Sequence, residues 1–322
     1  MMMQLNFPQK ALTKFVTTLV ITLSLASASA FSAEEVSQQL TAPSHANIDI
    51  KVQRGNVKII GWDKNLIQVE GTLDALSKGL VFKKDGDEFT IEDKLPRSYS
   101  GKRGQGSNLV INVPNKTDIE IEGISSDYNI SQLVGEIELE VVSGNINASD
   151  LDGDIELSAV SGNIQASQLS GDIELETVSG NINDNHSQGE VSYRLVSGDL
   201  TASSQATKIK VDQVSGKIDG NFKPAKHIKV VAVSGDISLK LSDSLSRAKL
   251  ESVSGDITTA FSNIPSVDVN INGGPAGKIT NQLTDHNVIK GKYQPSSTLQ
   301  FRVGNGAGKL SINTISGHLT IK

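Results

Sequence analysis

The sequence predicts an all-β protein built as a parallel β-solenoid, or β-helix, with about eighteen residues per coil. Three observations predict it. Glycine recurs every nine residues at Gly135, Gly144, Gly153, Gly162, Gly171, Gly180, Gly189 and Gly198. Alternate units are the closest relatives, with Val-Ser-Gly returning from Val142, Val160, Val178, Val196, Val214, Val233 and Val253, and as Ile315-Ser316-Gly317. Within a unit the apolar residues lie two apart, as in Ile155/Leu157, Ile173/Leu175 and Ile237/Leu239, which is the period of a strand.

No nine-residue unit can bury its own apolar face, but stacked units can, as in-register parallel strands over one continuous core. Glycine at each corner permits a positive φ and close backbone approach. Eighteen also divides into three hexapeptides, but glycine at nine favours a two-sided coil of two short strands. A third apolar residue follows three positions later, after a bend, as at Val160. Between Gly216 and Lys226, and between Gly235 and Ser246, the half-coil not ending in Val-Ser-Gly lengthens. One corner is therefore fixed and the other tolerates growth. Seven coils over 135–261, at ~4.8 Å each, make a rod roughly 35 Å long.

Residues 1–30 have the build of a signal peptide: Lys10 and Lys14, a short apolar run over 15–26, and Ala28-Ser29-Ala30 as a cleavage site. That run is too short to span a bilayer, and no later stretch approaches the length of a transmembrane helix. Residues 31–45 are expected to be a linker. Residues 46–125 are expected to be an irregular β section serving as a cap, with alternation at Ile48–Val52, Val57–Ile60, Ile67–Glu70, Phe89–Ile91, Leu109–Val113 and Ile119–Ile121. Residues 94–107 form a polar, basic loop. The regular solenoid occupies 126–261. Residues 262–322 break the nine-residue clock, with turn signals at Gly273-Gly274-Pro275 and Pro295, until Gly308 and Gly317 mark a closing coil.

Composition narrows the chemistry. The net charge is −6, cysteine is absent and aromatics are 4% of residues. Disulfides, thiolate metal sites and Cys nucleophiles are thereby excluded, nucleic acid is disfavoured as a partner, and stacking platforms for sugars or bases are scarce. Gly304–Leu310 and Gly273–Ile279 resemble phosphate loops only superficially: the spacing to Gly-Lys is one short and no Ser or Thr follows the lysine. The five histidines are scattered, and no serine sits in G-x-S-x-G. No catalytic or cofactor-binding residue emerges. Calcium-binding nonapeptide repeats need paired glycines that this repeat lacks.

Charge patterning is more informative. Positions eighteen apart stack, which aligns Glu136, Asp154, Asp172 and Glu190 beside Glu138, Glu156 and Glu174. Like charges ~5 Å apart repel by ~0.8 kcal/mol per pair even in water. Further along, the same face turns basic at Lys208, Lys210, Lys229 and Lys249, and the opposite half-coil stacks Asn145, Asn163 and Asn181 into a candidate amide ladder. Solvation of an outward face explains polar residues there. The functional alternative is an acidic stripe, with Glu138, Glu156, Glu174, Asp154 and Asp172 as weak candidates for Ca²⁺ or for a basic partner.

The segment Gly55-Asn-Val-Lys-Ile-Ile-Gly-Trp-Asp63, the serial Val-Ser-Gly-Asp-Ile units and the ending Phe301-Arg-Val-Gly-Asn-Gly-Ala-Gly-Lys-Leu-Ser-Ile-Asn-Thr-Ile-Ser-Gly317 resemble the bacterial "putative adhesin" β-strand-repeat family, a domain of unknown function. The resemblance spans roughly 46–322. It implies an exported or envelope-associated protein without assigned chemistry, and fold alone does not assign function. The expectation is thus a non-catalytic β-solenoid, in the periplasm or on the cell surface, that binds an envelope protein or a glycan or serves as a scaffold. Alternatives are a subunit polymerising end to end through its solenoid ends, and a polysaccharide-active enzyme. The leader reading predicts that mass spectrometry of envelope-extracted protein finds an N-terminus at Phe31; an intact Met1 or a purely cytoplasmic pool contradicts it.

Overall fold

The glycine clock corresponds to a stack of parallel coils in which each residue lies beside the one eighteen positions on. The computed structural model describes residues 34–96, 105–291 and 296–322, all within the unit Ala33–Lys322. The expected leader at 1–30, residues 97–104 of the basic loop and Pro295 lie outside the described residues. One half-coil aligns Ile146, Ile164, Ile182, Leu200 and Ile218; the other aligns Gly135, Gly153, Gly171 and Gly189. The step widens to nineteen at Ile218↔Ile237 and to twenty at Ile237↔Ile257. The extra residues form turns closed by the N–H of Ala225 on Phe222 O (3.0 Å) and of Leu245 on Ser242 O (3.2 Å), at the corner where the sequence allows growth.

Close backbone approach requires the glycines. A β-carbon on Gly162 would lie 1.7 Å from Gly144 O, and one on Gly153, whose φ is +133°, 2.2 Å from Gly135 O. From Gly153 to Gly255 the corner glycines each rest on the glycine of the coil before, whereas Gly135 and Gly144 rest on Thr117 and Ser126. Between these corners the alternating residues Ile155, Leu157, Ile173 and Leu175 are fully buried and belong to one core running the length of the stack.

The third apolar residue of each unit divides into two populations. In one half-coil Leu133, Leu151, Leu169 and Leu245 are buried. In the Val-Ser-Gly half the residue before the valine turns inward instead (Ala159, Leu195, Ala232), and Val142, Val160, Val178, Val196, Val214, Val233 and Val253 are 39–48% exposed. Where that inward residue is polar, it bonds the corner: Thr177 Oγ1 donates to Gly162 O (3.2 Å) and Gln213 Nε2 to Gly198 O (2.6 Å). Strand alternation continues up to the glycine, so the valine falls on the outward side. With Ile124 and Ile315 these residues form an exposed apolar column, one per coil.

The chain order at the ends differs from the spatial order. Asn47–Lys51 and Arg54–Trp62 form a regular coil against the start of the long strand Asp118–Ser143. On its other side this coil pairs in parallel with Glu88–Asp93 and Ser107–Pro114. Antiparallel strands finish the cap: Leu66–Thr72 on Ser107–Pro114, Glu35–Thr41 on Leu66–Thr72, and Leu80–Asp85 on Glu88–Asp93. Part of the expected linker 31–45 is thus a strand, EVSQQLT, mostly exposed and without the apolar alternation that marks a buried one. The other end follows the same plan. The closing coil Gly308–Ile321 slots between Arg247–Ser254 with Ile257–Phe261 and the outer strands Val267–Asn272 with Ala276–Asn281. Ser297–Arg302 then pairs antiparallel with Val267–Asn272.

This arrangement predicts that Ile173→Ala costs about 2–5 kcal/mol in urea unfolding, from lost transfer energy plus a cavity. Val160→Ala, at a half-exposed site, should change stability by no more than ~0.5 kcal/mol. Equal losses would contradict the inside–outside assignment.

Candidate functional site

Each coil offers two outward sheet faces. On the first, alternation sends four positions per coil to solvent, and stacking turns them into four columns. The first column runs Asp118, Glu136, Asp154, Asp172 and Glu190, then Lys208, His227, Arg247 and Lys309. The second runs Glu138, Glu156 and Glu174, then Ser192, Lys210, Lys229 and Lys249. The third is mixed, from Glu140 through Ser158, Glu176, Arg194 and Asp212 to Glu251. The fourth is the apolar valine column. The stripe that the sequence aligns is therefore real, and so is its change of sign.

Electrostatics follows the columns. Burial and then the neighbouring charges of Glu156, Glu120, Glu140 and Glu136 hold the Glu138 carboxyl above the usual glutamate range. Opposite charges meet where the sign changes: Lys208 Nζ bonds Glu190 Oε2 at 2.5 Å, and Arg194 contacts Glu174 and Glu176. Glu138, Glu156, Glu174, Asp154 and Asp172 stand in two adjacent columns, spaced along a line. Among the described residues no group of three acidic or histidine side chains is placed to hold a metal ion. Calcium takes six to eight oxygens around one point, which a straight column does not supply.

The corner between the two faces carries a ladder of a different kind from the amide-to-amide one expected. Oδ1 of Asp127, Asn145, Asn163, Asn181 and Asp199 accepts the backbone N–H eighteen residues on, at 2.7–3.2 Å. Amide-to-side-chain bonds accompany it only at Asn145 and Asn163. The ladder satisfies corner N–H groups that the sheet leaves unpaired, so these residues are structural.

The second face is uncharged over its middle. One column is Lys58, Asn129, Asn147, Gln165 and Asn183; the next holds Ser131, Ser149, Ser167 and Asn185. Together they line an open trough of about 480 Å³. A second trough, of about 500 Å³, lies at the acidic end of the first face, among Asp49, Glu88, Asp118, Glu120, Glu136 and Glu138. The amide–hydroxyl face was not singled out from the sequence, although the same eighteen-residue alignment exposes it. At the rim, Gln132, Asp150, Gln168 and His186 each adopt a positive φ of 55–65°.

The remaining candidates are structural. Gly304 and Gly274 lie in turns, and no helix follows either. Asp184 takes an inward place flanked by Ala166 and Ala202. It accepts the hydroxyls of Tyr193 and Ser187 at 2.5 Å each, and burial pushes its carboxyl up. At 1% exposure it is closed to any ligand. Among the described residues no helix is long and apolar enough to cross a membrane.

A solenoid with two long outward faces, closed at both ends by extra strands, defines an all-β repeat protein that presents extended sheet surfaces. The chain belongs to the toastrack DUF4097 family, whose profile matches residues 45–322. No match was found among curated proteins. Solved structures similar to it include a putative lipid binding protein from Parabacteroides distasonis (13% identity, 89% of this chain and 97% of that one, TM-score 0.44). Others are putative adhesins from Bacteroides fragilis (12%, 90% and 98%, 0.37) and Parabacteroides merdae (12%, 71% and 89%, 0.37).

Because Glu138 titrates above its usual range, its charge opposes folding at neutral pH and costs nothing once protonated. Glu138→Gln should therefore raise the melting temperature at pH 7, and the gain should shrink as pH falls through the ordinary glutamate range near 4.5. A gain that is constant with pH would assign the effect to packing instead.

Proposed function

We propose that this chain is a non-catalytic binding module of the bacterial cell envelope and that its ligand, an extended neutral glycan, lies along the amide–hydroxyl face. One observation carries this reading: Asn129, Asn147, Gln165 and Asn183 stack one coil apart beside Ser131, Ser149 and Ser167 along one open trough. Amides and hydroxyls both donate and accept, which suits a partner made of hydroxyls. The trough's residues other than Lys58 carry no charge, which favours a neutral ligand, and an open trough suits a polymer that passes along it. Its lining also lacks the paired carboxylates with which glycosidases cleave, which favours binding over turnover. The antiparallel strands at both ends weigh against end-to-end polymerisation, because they interrupt the parallel register that another solenoid would have to continue. Export rests on the leader segment.

Titration of the full chain against a panel of neutral and acidic oligosaccharides tests the reading. Saturable binding of a neutral member, weakened at least tenfold by Asn147→Ala/Gln165→Ala without loss of fold, supports it. It fails if no neutral member binds, if the double variant binds as well as wild type, or if new reducing ends accumulate.

A further inference from the structure

The geometry points to a second function for the other face: two copies of this chain pack antiparallel, face to face, through the four columns that end in valine. The sign of charge changes at a single step along the stack, from Glu190 to Lys208. A two-fold axis in the plane of this face, perpendicular to the solenoid and level with the Glu190–Lys208 step, keeps every column opposite itself and reverses the order of coils. In the first column Asp172 then meets His227 of the second copy, Asp154 meets Arg247 and Glu136 meets Lys309. In the second column Glu174 meets Lys229 and Glu156 meets Lys249. In the third Arg194 meets Asp212. Across these eight coils no like charges meet: in the first two columns the acidic coils end and the basic coils begin at the same step, and in the third the order is reversed at Arg194 and Asp212.

The fourth column adds the apolar element. Under the same axis Val196 faces Val214, Val178 faces Val233, Val160 faces Val253 and Val142 faces Ile315. All are at least 39% exposed in the single chain, and a contiguous exposed apolar row of this length marks an interaction surface. The acidic trough of about 500 Å³ at one end offers room for the long side chain of the partner's Lys309. Eight coils at ~4.8 Å by a strand of about seven residues at ~3.3 Å give about 900 Å² per copy, close to the ~800 Å² per partner of a standard stable interface. An isologous contact of this kind closes as a dimer and cannot grow further. It also explains why carboxylates are stacked at a spacing that makes them repel: the columns are neutralised by the second copy. The amide–hydroxyl face lies on the other sheet of each coil, so this inference stands whether or not a glycan binds there.

Sedimentation velocity of the full chain at low and high salt, with two charge-reversed variants, tests it. Wild type should be a dimer in ~50 mM NaCl and dissociate at least tenfold more readily in ~500 mM, because exposed ion pairs are screened. Lys229→Glu/Lys249→Glu should be monomeric, and so should Glu156→Lys/Glu174→Lys. An equimolar mixture of the two variants should form a heterodimer, which also demonstrates that both are folded. A wild type that stays monomeric at every concentration overturns the inference. So does a dimer indifferent to both variants, or a ladder of higher species.

Discussion

Contact between backbones at the glycine corners is the constraint on which the rest of this protein depends. Gly162 lies so close to Gly144 O that no side chain fits, and the same holds for Gly153 over Gly135. That contact forces each coil directly over the last and fixes the step. It also makes the fold tolerant elsewhere: turns at 223–224 and 243–244 lengthen two coils to nineteen and twenty residues without disturbing the column of Ser215, Ser234 and Ser254.

A fixed step converts sequence periodicity into surface columns. Whatever occupies one outward position recurs about 5 Å away on the next coil. A protein of this kind can therefore present long stripes of one chemistry, which a twisted sheet or a bundle of helices does less easily. Here one face carries amides and hydroxyls, and the other carries charge that changes sign halfway, edged by valine. The cost is borne by residues such as Glu138, whose carboxyl is held above the usual glutamate range by burial and then by the like charges of its neighbours.

Much of this is legible in the sequence, because the interactions that matter are periodic. The glycine clock, the inward Ile155 and Ile173, the lengthened corner and the aligned acids and bases all follow from spacing eighteen. What stays hidden is non-local or ambiguous. Val160 reads as apolar wherever it points, and only the glycine-bound corner turns it outward while Leu151 goes in. Asp184 sits in the polar run Asn183-Asp184-Asn185, with nothing to mark it as the inward residue that holds Tyr193. Glu35–Thr41 is an edge strand with almost no buried side. The insertion of Gly308–Ile321 beneath Val267–Asn272 breaks chain order, which no period records. Asn129, Asn147, Gln165 and Asn183 obey the same spacing as the acids, but uncharged polar residues are what any solvated strand face carries, so nothing in the sequence sets them apart.

The central claim, stacking in a register indifferent to chain order, is tested most directly by spin-label distances, for which the absence of native cysteine leaves the chain free. Labels would be placed at Ser143→Cys and, in separate variants, at Ser215→Cys, Ser254→Cys or Ser316→Cys. Their partner serines are aligned through successive coils, with Ser316 beside Ser254. Measured under monomeric conditions at high salt, the three distances should be about 19, 29 and 34 Å, rising by ~4.8 Å per coil. The last increment is decisive, because the chain runs on for 62 residues from Ser254 to Ser316 while the stack advances by one step. A distance to Ser316 that is broad, or longer than that to Ser254 by much more than one step, would contradict the account.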